Sequence, residues 1–217
     1  MRTLLTVLAL LVAAPLVMAL PCAAETTSIA QPPAVDAALV GSVAVRLEVN
    51  RVRVAVTGVI TPDVAAAFIG ALDAAPAGRA VLVELDSPGG FVKAGYAMID
   101  AMLRHRAEGR AVNTLVRGTA TCESMCFGVF MAGAKRSAEP GAWFMVHAPR
   151  DDRSGTMTLK TTKQMIERLV GLGTSPAWIR TVVERGGFSG SLDYGTRAEA
   201  LAAANANVVT ELVAAAR

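Results

Sequence analysis

The sequence predicts an α/β protein built on a parallel β-sheet. Strand-like and helical segments alternate from residue 42 to residue 147, which is the pattern of strands joined by helical crossovers. Residues 80–85 are mostly apolar, as expected of a strand that is covered on both faces. At 217 residues, the chain is also long enough to bury one sizeable core.

Turn and capping signals set the limits of the predicted elements. Alternating apolar residues predict a strand pair, or one broken strand, over 43–49 and 52–56. Thr61-Pro62-Asp63 predicts a helix start, because a capping hydroxyl precedes a proline and an acid. The other predicted elements are strands at 111–116 and 142–146, helices at 61–74, 92–106, 125–132, 159–172, 176–185, 197–204 and 208–216, and a short strand near Val208-Val209.

The first 24 residues have the pattern of a secretory signal peptide. Met1-Arg2 is a positive start, residues 3–20 are almost unbroken in apolar character, and small residues end at Ala24. Cleavage after Ala24 predicts a periplasmic or secreted protein. The alternative is an uncleaved membrane anchor, since about 18 apolar residues are just enough to span a bilayer. A membrane contact is expected only in that case.

The rest of the chain divides into a lead-in and one domain. Residues 25–41 are rich in Ala, Pro and Thr and predict a flexible lead-in, which leaves residues 42–217 as the folded domain. Over the whole chain, 21 basic and 18 acidic residues nearly balance, and no basic run with interleaved aromatics predicts nucleic-acid binding. Cys122 and Cys126 do not predict a zinc site, and no metal or other cofactor is expected. In an oxidising compartment these two thiols can form a disulfide.

The first segment with candidate chemistry is the glycine loop, Asp86-Ser87-Pro88-Gly89-Gly90. It lies between a predicted strand and a predicted helix. Adjacent glycines can adopt positive φ and turn successive amide groups toward one point, where they can stabilise an oxyanion. Taken alone, the loop is more simply interpreted as an ordinary strand-to-helix turn.

The second segment places Ser124 at a strand-to-helix junction. A serine there is presented outward and can act as a nucleophile. One alternative is a plain N-cap serine. Another is a cysteine nucleophile, above all Cys126, although a disulfide with Cys122 would silence both thiols.

The third segment contains His147, which ends the predicted strand at 142–146. Open α/β sheets present catalytic groups at the carboxyl ends of their strands. The other histidine, His105, lies between two arginines on a predicted helix, and we predict it to be a solvated surface residue.

Together, these segments resemble the ClpP protease subunit and its crotonase-fold relatives over residues 52–149. Ser124 and His147 are 23 positions apart, close to the separation in that family. The resemblance implies a ClpP/crotonase-like fold with stacked parallel β-sheet units and surrounding helices. The matching segments, in order, are Ser87-Pro88-Gly89-Gly90 with Gly95, Ser124-Met125, Ala132-Gly133-Ala134-Lys135, and Met145-Val146-His147-Ala148-Pro149.

The resemblance also implies a serine peptidase with Ser124 as nucleophile and His147 as general base. Its oxyanion hole would use the amides of Gly89, Gly90 and Met125. The third, acidic member falls on a glycine when the chain is aligned through Glu184-Arg185-Gly186-Gly187. Alignment through Ala198-Glu199-Ala200 places it next to Asp193, and we predict that Asp193 orients the imidazole.

The flanking cysteines depart from the family pattern and, with the signal peptide, predict an exported branch. The resemblance implies a homo-oligomer that acts on peptides or unfolded protein. An exported member could not rely on a cytoplasmic ATP-driven unfoldase. One alternative is a catalytically weak or inactive ClpP-fold binding or scaffold module of the cell envelope, and another is an acyl-CoA enzyme on the crotonase fold. The mechanistic alternative is a serine–lysine dyad that uses Lys93, Lys135, Lys160 or Lys163.

Overall fold

A computed structural model describes residues 40–151 and 154–215 of the chain. The predicted signal peptide and residues 25–39 of the lead-in lie outside the described residues. Within the described ranges, no helix is long and apolar enough to cross a membrane. The fold is mixed α/β, with parallel and antiparallel strands in two sheets, which confirms the predicted ClpP-like fold class.

The larger sheet contains six strands in the order β1-β2-β3-β4-β6-β9. β1 pairs antiparallel with β2, and the other neighbours in this sheet are parallel. Valine side chains at alternate positions of β2 are buried in the core. The strands are β1 (Ser42–Leu47), β2 (Arg51–Thr57), β3 (Ala80–Asp86), β4 (Val112–Val116), β6 (Arg136–Ala138) and β9 (Glu211–Leu212).

Six helices pack around the sheets in the described part of the chain. Thr61 caps the first of them as predicted, since its Oγ1 accepts a hydrogen bond from Val64 N at 3.2 Å. The third helix is buried at every position and belongs to the hydrophobic core. The helices are α1 (Pro62–Ala74), α2 (Val92–Ala107), α3 (Met125–Met131), α4 (Leu159–Gly171), α5 (Pro176–Glu184) and α6 (Ala198–Ala203).

A second, three-stranded sheet has the order β5-β7-β8. β5 (Thr121–Glu123) runs parallel to β7 (Trp143–Val146), which pairs antiparallel with β8 (Tyr194–Arg197). The sequence predicted only β7 of these three strands. β5 and β8 have three and four residues, too few to show a period-two pattern.

The structure corrects two sequence predictions about the helices. Residues 208–215 are not helical, because the chain extends there to pair β9 with β6, and the Arg136 Nε donates to Val208 O at 2.8 Å. His105 is not a solvated surface residue but is only 4% exposed. The packing of α2 against α1 covers it, and its Nε2 lies 2.9 Å from Asp73 Oδ1.

Candidate active site

Strand pairing brings Ser124 and His147 together. β5 and β7 are parallel neighbours with Glu123 opposite Met145, so the residues that follow them emerge at the same edge. Ser124 N donates to Met145 O at 2.8 Å, which ties the serine directly to the histidine strand. The side-chain contact follows from this register, and Ser124 Oγ lies 2.8 Å from His147 Nε2.

The tautomer of His147 is fixed by the main chain. Its Nδ1 lies 2.8 Å from Ala148 O. Because a carbonyl oxygen can only accept, Nδ1 carries the proton, and Nε2 of the neutral ring is left as the acceptor. The Ser124 hydroxyl therefore donates to Nε2, which is the arrangement needed for a general base to take the serine proton.

Ser124 has a backbone conformation that is rare outside glycine. Its φ is 54° and its ψ is −120°. Such conformations are energetically costly and persist only where the surroundings enforce them. Here the turn from β5 into α3 enforces it, and the side chain is thereby directed out of the sheet edge toward His147.

A disulfide joins Cys122 and Cys126 on either side of the nucleophile, with their Cα atoms 5.1 Å apart. Both residues are fully buried. Neither thiol is therefore available as a nucleophile, which removes the alternative that Cys126 attacks substrate. The crosslink ties β5, which directly precedes Ser124, to the first turn of α3.

We expect the double variant Cys122→Ala/Cys126→Ala to unfold more readily and to react more slowly at Ser124. Closing so short a loop is worth about 2 kcal/mol of unfolding free energy in the chain-entropy account. Urea denaturation measures this loss, and labelling with a fluorophosphonate measures the reactivity. Wild-type protein refolded in reductant loses the crosslink but keeps both sulfur atoms. It therefore separates the effect of the crosslink from the effect of side-chain packing. Unchanged labelling in both samples would show that Ser124 holds its geometry without the crosslink.

The glycine loop lies directly against the nucleophile. Its backbone pairs with β5, because Ser87 N donates to Thr121 O at 2.8 Å and Glu123 N donates to Ser87 O at 3.0 Å. Gly89, with φ of 95°, is so close that a Cβ there would lie 2.7 Å from Ser124 Cβ and 3.0 Å from Met125 N. Only glycine fits this approach.

The three predicted oxyanion donors differ in their hydrogen bonds. Gly89 N already donates to Ser87 Oγ at 3.0 Å, so its amide is occupied within the loop. The amides of Gly90 and Met125 have no acceptor among the described residues. These two N–H groups are therefore the ones available to a developing oxyanion.

Asp193 does not lie in contact with His147. Its carboxylate pairs with Arg150 Nη2 at 3.1 Å, and its side chain is 45% exposed. The His147 nitrogen that it was predicted to hold is bonded to Ala148 O instead. Sequence reasoning missed this partner because every residue carries a main-chain carbonyl, so no residue type signals it.

We expect Asp193→Asn to change the rate of Ser124 labelling by no more than about twofold, as exposed substitutions do. Where an aspartate does hold the imidazole, the same change costs about 10⁴-fold. Arg150→Gln is the matched control, because it breaks the same ion pair and leaves the carboxylate in place. A large loss in Asp193→Asn alone would restore Asp193 as the orienting acid.

A pocket, called here the side pocket, lies beside Ser124 and His147 and is closed off by α2, α3 and α4. Arg168 of α4 and Tyr96 of α2 complete its wall, and burial raises the pKa of the Tyr96 phenol. None of the residues lining it is a lysine, and the described partner of Ser124 Oγ is His147 rather than a lysine. Its apolar lining consists mainly of Ile99, Met125, Val146, Met165, Leu169 and Leu172.

A serine hydroxyl hydrogen-bonded to a histidine nitrogen, beside two amides that have no acceptor among the described residues, is the arrangement found in serine hydrolases. The sequence profile of the Clp protease family matches residues 42–171, and the chain belongs to that family. Family membership implies a ClpP-like serine peptidase. Asp193 and β8 lie beyond the matched residues.

Two curated relatives carry the name ATP-dependent Clp protease proteolytic subunit. The one from Ligilactobacillus salivarius (strain UCC118) is 31% identical over 156 residues, which cover 64% of this chain and 78% of the relative. The one from Streptococcus suis (strain 98HAH33) is 33% identical over 84 residues, which cover 39% of this chain and 41% of the relative.

Proposed function

We propose that the protein is an exported serine endopeptidase that cleaves peptide bonds through an acyl-enzyme on Ser124. The observation that carries the proposal is the hydrogen bond from Ser124 Oγ to His147 Nε2, with the tautomer set by Ala148 O. A structural serine has no need of an imidazole held as a proton acceptor.

The reaction follows from these contacts in two steps. As Ser124 Oγ forms a bond to the peptide carbonyl carbon, His147 Nε2 takes its proton, and the amides of Gly90 and Met125 stabilise the oxyanion. The C–N bond then breaks, and His147 passes the proton to the leaving amine. Water adds to the ester by the same route, and the carboxylic product leaves with the Ser124 hydroxyl restored.

Export and assembly form the rest of the proposal. The buried disulfide supports an oxidising compartment, where such crosslinks form and persist. The relatives are named as subunits, which supports a homo-oligomer here. Without access to a cytoplasmic unfoldase, the substrates are peptides or already unfolded protein.

The test is to trap the acyl-enzyme. The oxidised protein is mixed with an activated peptide ester, quenched in acid and digested. The mass of the peptide that contains Ser124 is then measured by mass spectrometry. We expect the mass of the acyl group on Ser124 and release of new amino termini from an unfolded protein. A folded, oxidised and oligomeric sample that does neither would favour the binding-module alternative.

A further inference from the structure

Arg168 stands apart from the rest of the side pocket. It is the one arginine or lysine among the described residues that line it. Two contacts fix its guanidinium: Nη2 donates to the Asp100 carboxylate of α2, and the group lies over the Tyr96 ring, 4.8 Å from the ring centroid. Its Nε is buried and has no acceptor among the described residues. Native proteins rarely leave a buried donor unpaired, so each such donor calls for an explanation.

We propose that Arg168 is a specificity-determining residue of this site. The side pocket takes the side chain of the residue whose carbonyl Ser124 attacks, called here the acyl residue. Nε–H of Arg168 then donates to an oxygen at the end of that side chain. This inference rests on the proposed function. An apolar pocket without the arginine would favour leucine or methionine.

Glutamine and glutamate have the chemistry that fits. Their aliphatic stems match the apolar wall, and each ends in an acceptor oxygen at about the reach of methionine. Because Asp100 already balances the charge of Arg168, a carboxamide can be bound without burying a further charge, whereas a carboxylate adds one. The shared feature is the acceptor oxygen, and the experiment separates its two sources.

The side pocket must open to admit any such side chain. Its free volume is about 10 Å³, close to the room that one water molecule needs. Met125 and Met165 line it, and unbranched thioether side chains adapt readily to a new neighbour. Arg168 is held by two contacts, so we expect the methionines to move and the donor to stay.

The test uses peptidyl phosphonate diphenyl esters that differ only in the acyl residue: glutamine, glutamate, methionine or leucine. Ser124 Oγ attacks phosphorus, phenoxide leaves, and His147 takes the serine proton, so the inactivation rate reports how well each side chain is bound. We expect glutamine or glutamate to exceed methionine by about tenfold to a hundredfold, the usual worth of a hydrogen bond to a charged group. The ratio of the inactivation rates for the glutamine and glutamate compounds reports how far Asp100 balances the charge of Arg168.

Arg168→Met removes the donor and keeps an apolar side chain of similar length. We expect it to abolish the advantage of glutamine and glutamate and to leave the methionine compound at least as fast. Lys163→Met, on the exposed face of the same helix, is the matched control and should keep the wild-type order. A fluorophosphonate, which has no acyl-residue side chain, serves as the reference for an intact site in each variant.

Three outcomes distinguish the possibilities. If wild-type protein prefers methionine or leucine, the inference is overturned while the proposed function stands. If Arg168→Met slows all four compounds equally, Arg168 is structural and the inference is likewise overturned. If the fluorophosphonate fails to label folded wild-type protein, the proposed function itself fails.

Discussion

Replacing Ser124 by alanine should abolish labelling of the protein by a fluorophosphonate. Labelling requires Oγ to attack phosphorus, and Ser124 is the serine whose hydroxyl contacts a histidine nitrogen among the described residues. His147→Ala should slow labelling by about 10²–10⁴-fold, which is the usual contribution of a positioned general base. Both rates can be followed by gel fluorescence on the oxidised protein that begins at Glu25.

His105→Ala is the matched control for the histidine change. His105 is buried and its side chain contacts Asp73 rather than Ser124 or His147, so its loss should lower stability and leave the labelling rate per folded molecule unchanged. Persistent labelling of Ser124→Ala would place the reactive group elsewhere. Equal losses in the two histidine variants would mean that the His147 effect is one of folding.

Replacing Gly89 by alanine should reduce labelling by about 10²–10³-fold, comparable to the loss of one oxyanion donor. A Cβ at this position would lie 2.7 Å from both Glu123 O and Ser124 Cβ and 3.0 Å from Met125 N. These atoms belong to the turn that carries Ser124, and the contacts are too short to be tolerated unless the backbone shifts. The glycine loop must therefore move away from Ser124 and take the Gly90 amide with it.

Gly109→Ala separates this contact from backbone strain. Gly109 has φ of 85°, close to the 95° of Gly89, but a Cβ there meets nothing within 4 Å. We expect Gly109→Ala to lower the melting temperature and to keep full labelling. If labelling falls equally in both variants, the effect comes from backbone strain rather than from displacement of the glycine loop.

Much of the site was predictable because its residues follow strong local signals. β3 is an apolar run followed by the loop that contains Gly89 and Gly90, and β7 is an apolar run followed directly by His147, so local sequence signals marked both positions. Ser124 was identified because it lies between these two motifs, in the order in which the ClpP family has its matching segments. The structure confirms the fold class, and it brings Ser124 and His147 into contact.

The rest depends on contacts that leave no trace in residue type. β5 was missed because a three-residue strand has no period, yet its register with β7 sets the serine–histidine distance. Ala148 O accepts a hydrogen bond from His147, and Ser87 Oγ accepts one from Gly89 N. Carbonyl and hydroxyl groups are too common in any sequence to predict such contacts. Arg168 lay on a correctly predicted helix, but only the packing of α4 against α2 places it beside Asp100 and Tyr96.

The backbone pairing of β5 on both sides has a consequence for how the site opens. Ser87 bonds to Thr121 and Glu123 on one side, and Met145 bonds to Ser124 on the other. Main-chain hydrogen bonds thus join the glycine loop, the nucleophile and the strand before His147 into one connected unit. Local unfolding occurs in cooperative units. We therefore expect amide hydrogens across this unit to exchange with solvent at a common free energy of local unfolding. The site then forms or unfolds as a whole.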